Sequence, residues 1–394
     1  MDAFTEIEAP IPAAADFDVN LRNGDFGLKL DLKPREGRYR GVPLARVDGK
    51  IDFSAQTRGT NFTARTFVDI PLAIDRDGRR LAGSIGVVLS NGCVRLAYDA
   101  KSDLAFADAL AVVGFLTPED LSMVECESAP VLTVRGASGV RAEDSEANRV
   151  DFTAALRHGS FYGLRLNNLR LNFALAGDTL TFTNVTATGK TGGKYRASST
   201  LELPGFDPER ARFALDLDIA GGSLDEMSDF FKFDLGERRG RVDGTCRIAG
   251  PATDRFREGL SGEGSVRITD GLLGRMKLFA GLTKLLADKV PGIGFLVNQS
   301  QANCSFRIAD GVLVTDDLYI EGGFISLKAW GRYDIAKDDL DFTVRVQFLK
   351  NDSMMGKIVH PITWPFTKLL LESKATGPLD DPKWEYISII DRIL

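Results

Sequence analysis

The chain has 394 residues, 44% of them hydrophobic, and its 49 lysines and arginines stand against 55 acids for a formal net charge of -6. That balance argues against nucleic acid as a partner, because duplex binding calls for a basic face. Two histidines, His158 and His360, are too few for a His-rich metal centre. Four scattered cysteines with no CxxC spacing give neither a zinc ribbon nor a thioredoxin motif, and read as buried free thiols. No apolar run reaches the ~18 residues of a membrane-spanning helix, and the N-terminus shows no signal-peptide pattern.

The dominant period is two. Residues 26–32 alternate Phe26, Leu28, Leu30 and Leu32 with polar or small residues. Residues 169–173, 213–219, 325–329 and 340–348 do the same, the last without a fault. Side chains alternate faces along a strand, so each segment presents one apolar and one polar face. Turn chemistry falls between them at Asp75-Arg76-Asp77-Gly78, Ala176-Gly177-Asp178 and Ala309-Asp310-Gly311. Short turns between neighbouring strands predict antiparallel meanders. Roughly fifteen strands at about 4.8 Å would extend about 70 Å, and a sheet that long twists and curls.

Helical stretches interrupt the rhythm at residues 106–115, 224–231, 272–290 and 353–374. Asp225, Glu226 and Asp229 suit a helix N-terminus through its dipole. Residues 272–290 space Leu272, Met276, Phe279, Leu282, Leu285 and Leu286 helically, with Lys284 among four basic residues against one acid, Asp288. This segment reads either as a basic amphipathic helix on an anionic membrane or as a helix packed on the sheet. Residues 353–374 bring Trp364 and Phe366 beside Lys368, with Pro361 and Pro365 as breaks. Phe279, Leu282, Lys284, Trp364, Phe366 and Lys368 are therefore the membrane-contact candidates. A recurring order of strand, Gly-rich entry, strands and helix, at roughly 110 to 130 residues, predicts three divergent units over 17–116, 125–232 and 240–394.

Catalytic chemistry is not legible. Asp316-Asp317, Asp338-Asp339 and Asp380-Asp381 read as solvated acids at strand ends or turns. No GxSxG, HExxH or P-loop stands in the right context, and Gly262-Glu263-Gly264 precedes a strand instead of a helix. The expectation is a protein that is not an enzyme, with no cofactor and no metal. The fold expected is mainly β: an elongated, twisted antiparallel sheet curled into a groove, with a few short amphipathic helices.

From about residue 150 onward the chain resembles the AsmA-like family of bacterial envelope proteins, above all its C-terminal region. The resemblance rests on an ordered series. It runs from residues 262–271, ending in Asp270-Gly271, through residues 300–311, 318–323 and 331–335, to the close Thr376-Gly-Pro-Leu-Asp-Asp-Pro-Lys-Trp384. The resemblance implies a β-groove related to bridge-like lipid transfer proteins, whose apolar interior shields acyl chains between inner and outer membranes. It implies a periplasmic protein, inner-membrane-anchored in a full-length parent, with phospholipid or another acyl-chain lipid as its partner. The membrane surface and envelope proteins are further partners. Exposing a sixteen-carbon tail to water costs on the order of 12 kcal/mol, at about 0.8 per CH2, and a continuous apolar strip lowers that barrier. The candidate lining residues are Leu215, Leu217, Ile219, Phe342, Val344, Val346 and Phe348. Two rival readings are an assembly factor for outer-membrane biogenesis that recruits proteins by strand addition, and a secreted β-solenoid enzyme acting on glycans.

Overall fold

The structure is a computed structural model. It describes residues 4–5, 13–20, 25–32, 37–39, 42–58, 60–75, 77–90, 92–105, 108, 124–139, 148–161, 163–231, 239–271, 281–282, 284, 299–322, 325–348 and 371–387. These residues form twenty-three strands, all in antiparallel pairings, and little helix. The mainly-β antiparallel expectation holds, with more strands than the roughly fifteen counted from the alternation.

Two compact units divide the chain: Met1–Ala187 with Thr200–Ala211, and Thr188–Ser199 with Arg212–Leu394. The first holds β1 (Phe4–Thr5), β2 (Ala13–Asn20), β3 (Asp25–Leu32), β4 (Gly37–Tyr39), β5 (Val42–Arg58), β6 (Asn61–Asp75), β7 (Arg80–Ser90), β8 (Cys93–Ser102), β9 (Val124–Cys126), β10 (Val131–Gly139), β11 (Arg149–Phe161) and β12 (Leu164–Ala176). The division falls within β13 (Thr179–Gly189) and β14 (Lys194–Glu202). The second unit continues with β15 (Arg212–Ser223), helix α1 (Leu224–Phe231), β16 (Arg241–Pro251), β17 (Ser261–Thr269), β18 (Gln299–Ala309) and β19 (Val312–Gly322). It ends with β20 (Ile325–Asp334), β21 (Asp339–Phe348), β22 (Leu371–Gly377) and β23 (Lys383–Ile387).

Strand pairing is continuous between the three units expected from the repeat. β8 pairs directly with β10, from Leu132 opposite Ser102 to Gly139 opposite Arg95. β15 pairs directly with β16, from Arg212 opposite Pro251 to Ser223 opposite Arg241. Hydrogen-bonded ladders therefore run straight across both expected boundaries. The intervening segments are excursions from a continuous ladder, not linkers between domains.

In the second unit each strand from β15 to β23 pairs with the next. The chain's departures α1, residues 270–298 and residues 349–370 all leave from one end of this ladder. At the other end the connections are short. Asp310 and Gly311, both at positive φ, form a two-residue turn between β18 and β19. That conformation matches strand twist and is accessible to Asp and Gly.

At the excursion end a row of apolar side chains crosses the sheet. Val242, Ile268, Ala302, Ile320, Leu327 and Val346 stand opposite one another in register. They join Leu224 of α1 and Leu282 in the unit's hydrophobic core. Helix α1 begins as its sequence suggests: Asp225 and Glu226 occupy the first turn, and the Glu226 N–H donates to Ser223 Oγ at 3.5 Å. The first unit has its own core of Val42, Ala73, Leu81, Leu104 and Leu132.

Removing a core side chain from this row costs both transfer energy and a cavity. Leu327→Ala, at a residue 3% exposed, is expected to lose about 2–5 kcal/mol in urea unfolding. Leu215→Ala, at a half-buried position of the same face, should lose less than half as much. Equal losses would mean that the face is packed evenly along its length.

Candidate functional site

β15 to β18 alternate without a break in exposure. Phe213, Leu215, Leu217 and Ile219 are half-buried, while Ala214, Asp216 and Asp218 between them are exposed. Register carries this face across the sheet in rows. Leu215 stands opposite Ile248, which stands opposite Gly262, and Gly262 opposite Ile308. Leu217, Cys246, Gly264 and Phe306 make the next row, and Ile219, Gly244, Val266 and Cys304 the one after it. The small floor of Gly244 and Cys246 is thus flanked by Leu217 and Ile219 on one side and Val266 on the other. The Phe306 ring lies over Gly264, where any side chain would collide with it. At the turn end Phe256, from the loop after β16, stacks on Phe213 with ring centroids 5.3 Å apart. From Phe213 to Ile219 the strip runs about 20 Å along the strand.

The seven lining candidates do not share one site. Leu215, Leu217 and Ile219 lie on this half-buried strip. Phe342, Val344 and Val346 share its face but stand on β21, about 30 Å away across six strand spacings. Val344 and Val346 belong to the buried core and Phe342 packs against it. Val346 is 0% exposed, so the protein's own side chains fill that part of the face. Phe348 ends β21, and its side chain lies outside the described residues.

Of the membrane-contact candidates, Leu282 is corrected outright. It is 2% exposed and sits in the core with Leu224 and Val242. Its neighbour Gly281 abuts Trp384, whose indole would collide with a side chain there. Leu282 therefore faces the sheet, and Lys284 is exposed. Phe279, Trp364, Phe366 and Lys368 lie outside the described residues. Asp316 and Asp317 also stand elsewhere than expected. They occupy a register irregularity inside β19, where Asp317 accepts the Ser305 N–H at 2.7 Å. Gly262 and Gly264 lie within β17, paired on both sides.

Sequence reasoning missed Cys246, Ile248, Val266 and Phe306. The alternation was legible at residues 242–248, but Gly244 and Cys246 dilute its apolar content. All four cysteines are free and half-buried rather than fully buried. Burial pushes the thiols of Cys126, Cys246 and Cys304 up from their ordinary range.

The opposite face is polar. A depression of about 700 Å³ there is lined by Lys194, Arg196, Asp243, Thr245, Arg267 and Asn303, among others. Its lining mixes three basic side chains with Asp218 and Asp243, so it selects no single charge class of ligand. Among the described residues no group of three His, Cys, Asp or Glu side chains could hold a metal ion. Among them, too, no helix is long and apolar enough to cross a membrane.

Compared with family models, with curated proteins and with solved structures, the chain matches none.

Burial raises three tyrosines, Tyr98, Tyr195 and Tyr333, above the ordinary phenol value, the last two furthest. Burial, aided by the charge of Glu226, pushes Tyr195 up to about 12. Burial, with the hydrogen bond that its hydroxyl donates to Asp338 at 2.8 Å, pushes Tyr333 up to about 12. A raised phenol favours the neutral, folded form. The unfolded chain ionises first, near the ordinary value of 10, so this stability is complete below 10 and is lost as pH rises from 10 to about 12. Urea midpoints should fall across that window. Tyr195→Phe and Tyr333→Phe should flatten the fall, and an unchanged slope would contradict the assignment.

Proposed function

We propose that this chain is a non-enzymatic acyl-lipid-holding protein, with the apolar strip of β15 to β18 as its contact surface. The observation that carries the reading is a contrast along one continuous apolar face. Beneath Leu224 and Leu282 the face is closed by the protein itself, while from Phe213 to Ile219 it is only partly buried. An acyl chain laid on that strip removes both apolar surfaces from water, at about 0.8 kcal/mol per buried CH2. Nothing in such a role requires a nucleophile or an acid–base pair. Lipid shielding in a bacterial envelope, between inner and outer membranes, extends the AsmA-like resemblance of the sequence and belongs to the same proposal.

Cys246 provides the test, because it sits on the floor of the strip, whereas register puts Cys93 on the polar face of the first unit. The alkylation rates of both thiols would be measured by mass spectrometry with and without monomeric palmitate or lysophospholipid. At about ten times the ligand's Kd, alkylation of Cys246 should slow about tenfold while Cys93 is unaffected. Leu217→Asp should abolish the protection. No protection of Cys246 at saturating lipid, in a folded protein, would sink the reading.

A further inference from the structure

The hairpin of β5 and β6 has the longest strands among the described residues, 17 and 15 residues. Near its tip three cross-strand pairs face the polar side: Ser54 with Arg65, Gln56 with Thr63, and Arg58 with Asn61. These six side chains line a depression of about 450 Å³, and no carboxylate is among them. Across the next strand, Arg65 stands opposite Val88 and Val88 opposite Arg95, which adds a third exposed arginine to the same face.

Elsewhere on the polar faces some basic side chains sit beside acids. Lys29 pairs with Asp52 at 3.9 Å, Arg135 with Asp99 at 3.0 Å, Arg247 with Asp216 at 3.4 Å and Arg332 with Asp341 at 3.8 Å. Arg58, Arg65 and Arg95 have no such partner among the described residues. In a chain of net charge -6, an unneutralised basic trio at one hairpin tip is a local reversal of the overall field.

The other side of the same tip is apolar. Phe62, opposite Thr57, is 46% exposed, and Val87, two rows inward on the same face, is 42% exposed. A hairpin tip with an exposed aromatic on one side and free arginines on the other matches the anionic membrane interface. There the ring enters the acyl boundary and the guanidinium groups reach the phosphates. Soluble phosphate would engage the arginines but leave Phe62 without a role.

We propose that the tip of the β5–β6 hairpin docks on an anionic phospholipid bilayer. The site is separate from the acyl strip and stands or falls independently of it.

Flotation of the full chain with vesicles tests this. Binding is expected to vesicles rich in phosphatidylglycerol and not to pure phosphatidylcholine, and it should weaken with salt. Arg58→Gln with Arg65→Gln should lower the affinity about twenty-five-fold, at about fivefold per arginine. Phe62→Ser should weaken it at unchanged net charge, while Phe62→Leu retains it. All three positions are exposed in strands, and circular dichroism with urea unfolding verifies the fold of each variant. Leu217→Asp should leave flotation unchanged, which separates this site from the acyl strip. Three results would overturn the proposal: equal binding to neutral vesicles, anionic binding indifferent to both the arginine pair and Phe62, or full displacement by millimolar inorganic phosphate at constant ionic strength.

Discussion

Cross-strand register is the constraint on which the rest of this structure depends. With a side-chain period of two, a slip of one residue would turn every apolar side chain of a strand to the wet side. In β16, one such slip would exchange Val242, Cys246 and Ile248 for Asp243, Thr245 and Arg247. Register also assembles the strip, since Leu217, Cys246 and Phe306 lie far apart in sequence and meet only because their strands pair at fixed positions. Surface ion pairs such as Arg247 with Asp216 follow from the same pairing, but exposed pairs of this kind contribute at most about 1 kcal/mol. A stronger polar contact joins β21 to β22, where Arg345 donates to Glu372 Oε1 through Nε at 2.9 Å and lies 5.3 Å over the Trp330 ring.

One apolar face thus serves two purposes along its length. Where the chain leaves the ladder between strands, Leu224 and Leu282 return to cover the face and make a core. Where the connections are two-residue turns or short loops, no element of comparable size among the described residues covers the face, and Phe256 on Phe213 is the modest exception. Short turns at one end and long departures at the other are enough to divide a uniform alternating sheet into a closed part and an open part. No catalytic residue has to be added for the open part to hold an apolar ligand.

The strands were legible because their signal is local. Residues 213–219 and 340–348 alternate cleanly, and both are strands in the structure; residues 224–231 likewise form α1. What periodicity does not reveal is which stretch of an apolar face is covered, because that depends on segments distant in sequence. Val344 and Leu217 look alike in their own strands, yet the core absorbs Val344. Leu282 shows the same limit: helical spacing identified it as apolar-facing, but only packing against Val242 and Leu224 decides that it faces protein. The two compact units were not legible for a related reason. Departures from a ladder recur in sequence as domain boundaries would, while pairing of β8 with β10 and β15 with β16 runs past them.

The central claim is that the apolar side chains of β15 to β18 form an open contact surface for acyl chains. A photoactivatable fatty acid, crosslinked to the intact protein and mapped by peptide mass spectrometry, reads that surface directly. The account predicts adducts at Leu215, Leu217, Ile219, Ile248 and Phe306, with none at the alternating Asp216, Asp218 and Thr245. Adducts spread equally over both faces, or confined to residues outside these strands, would contradict it.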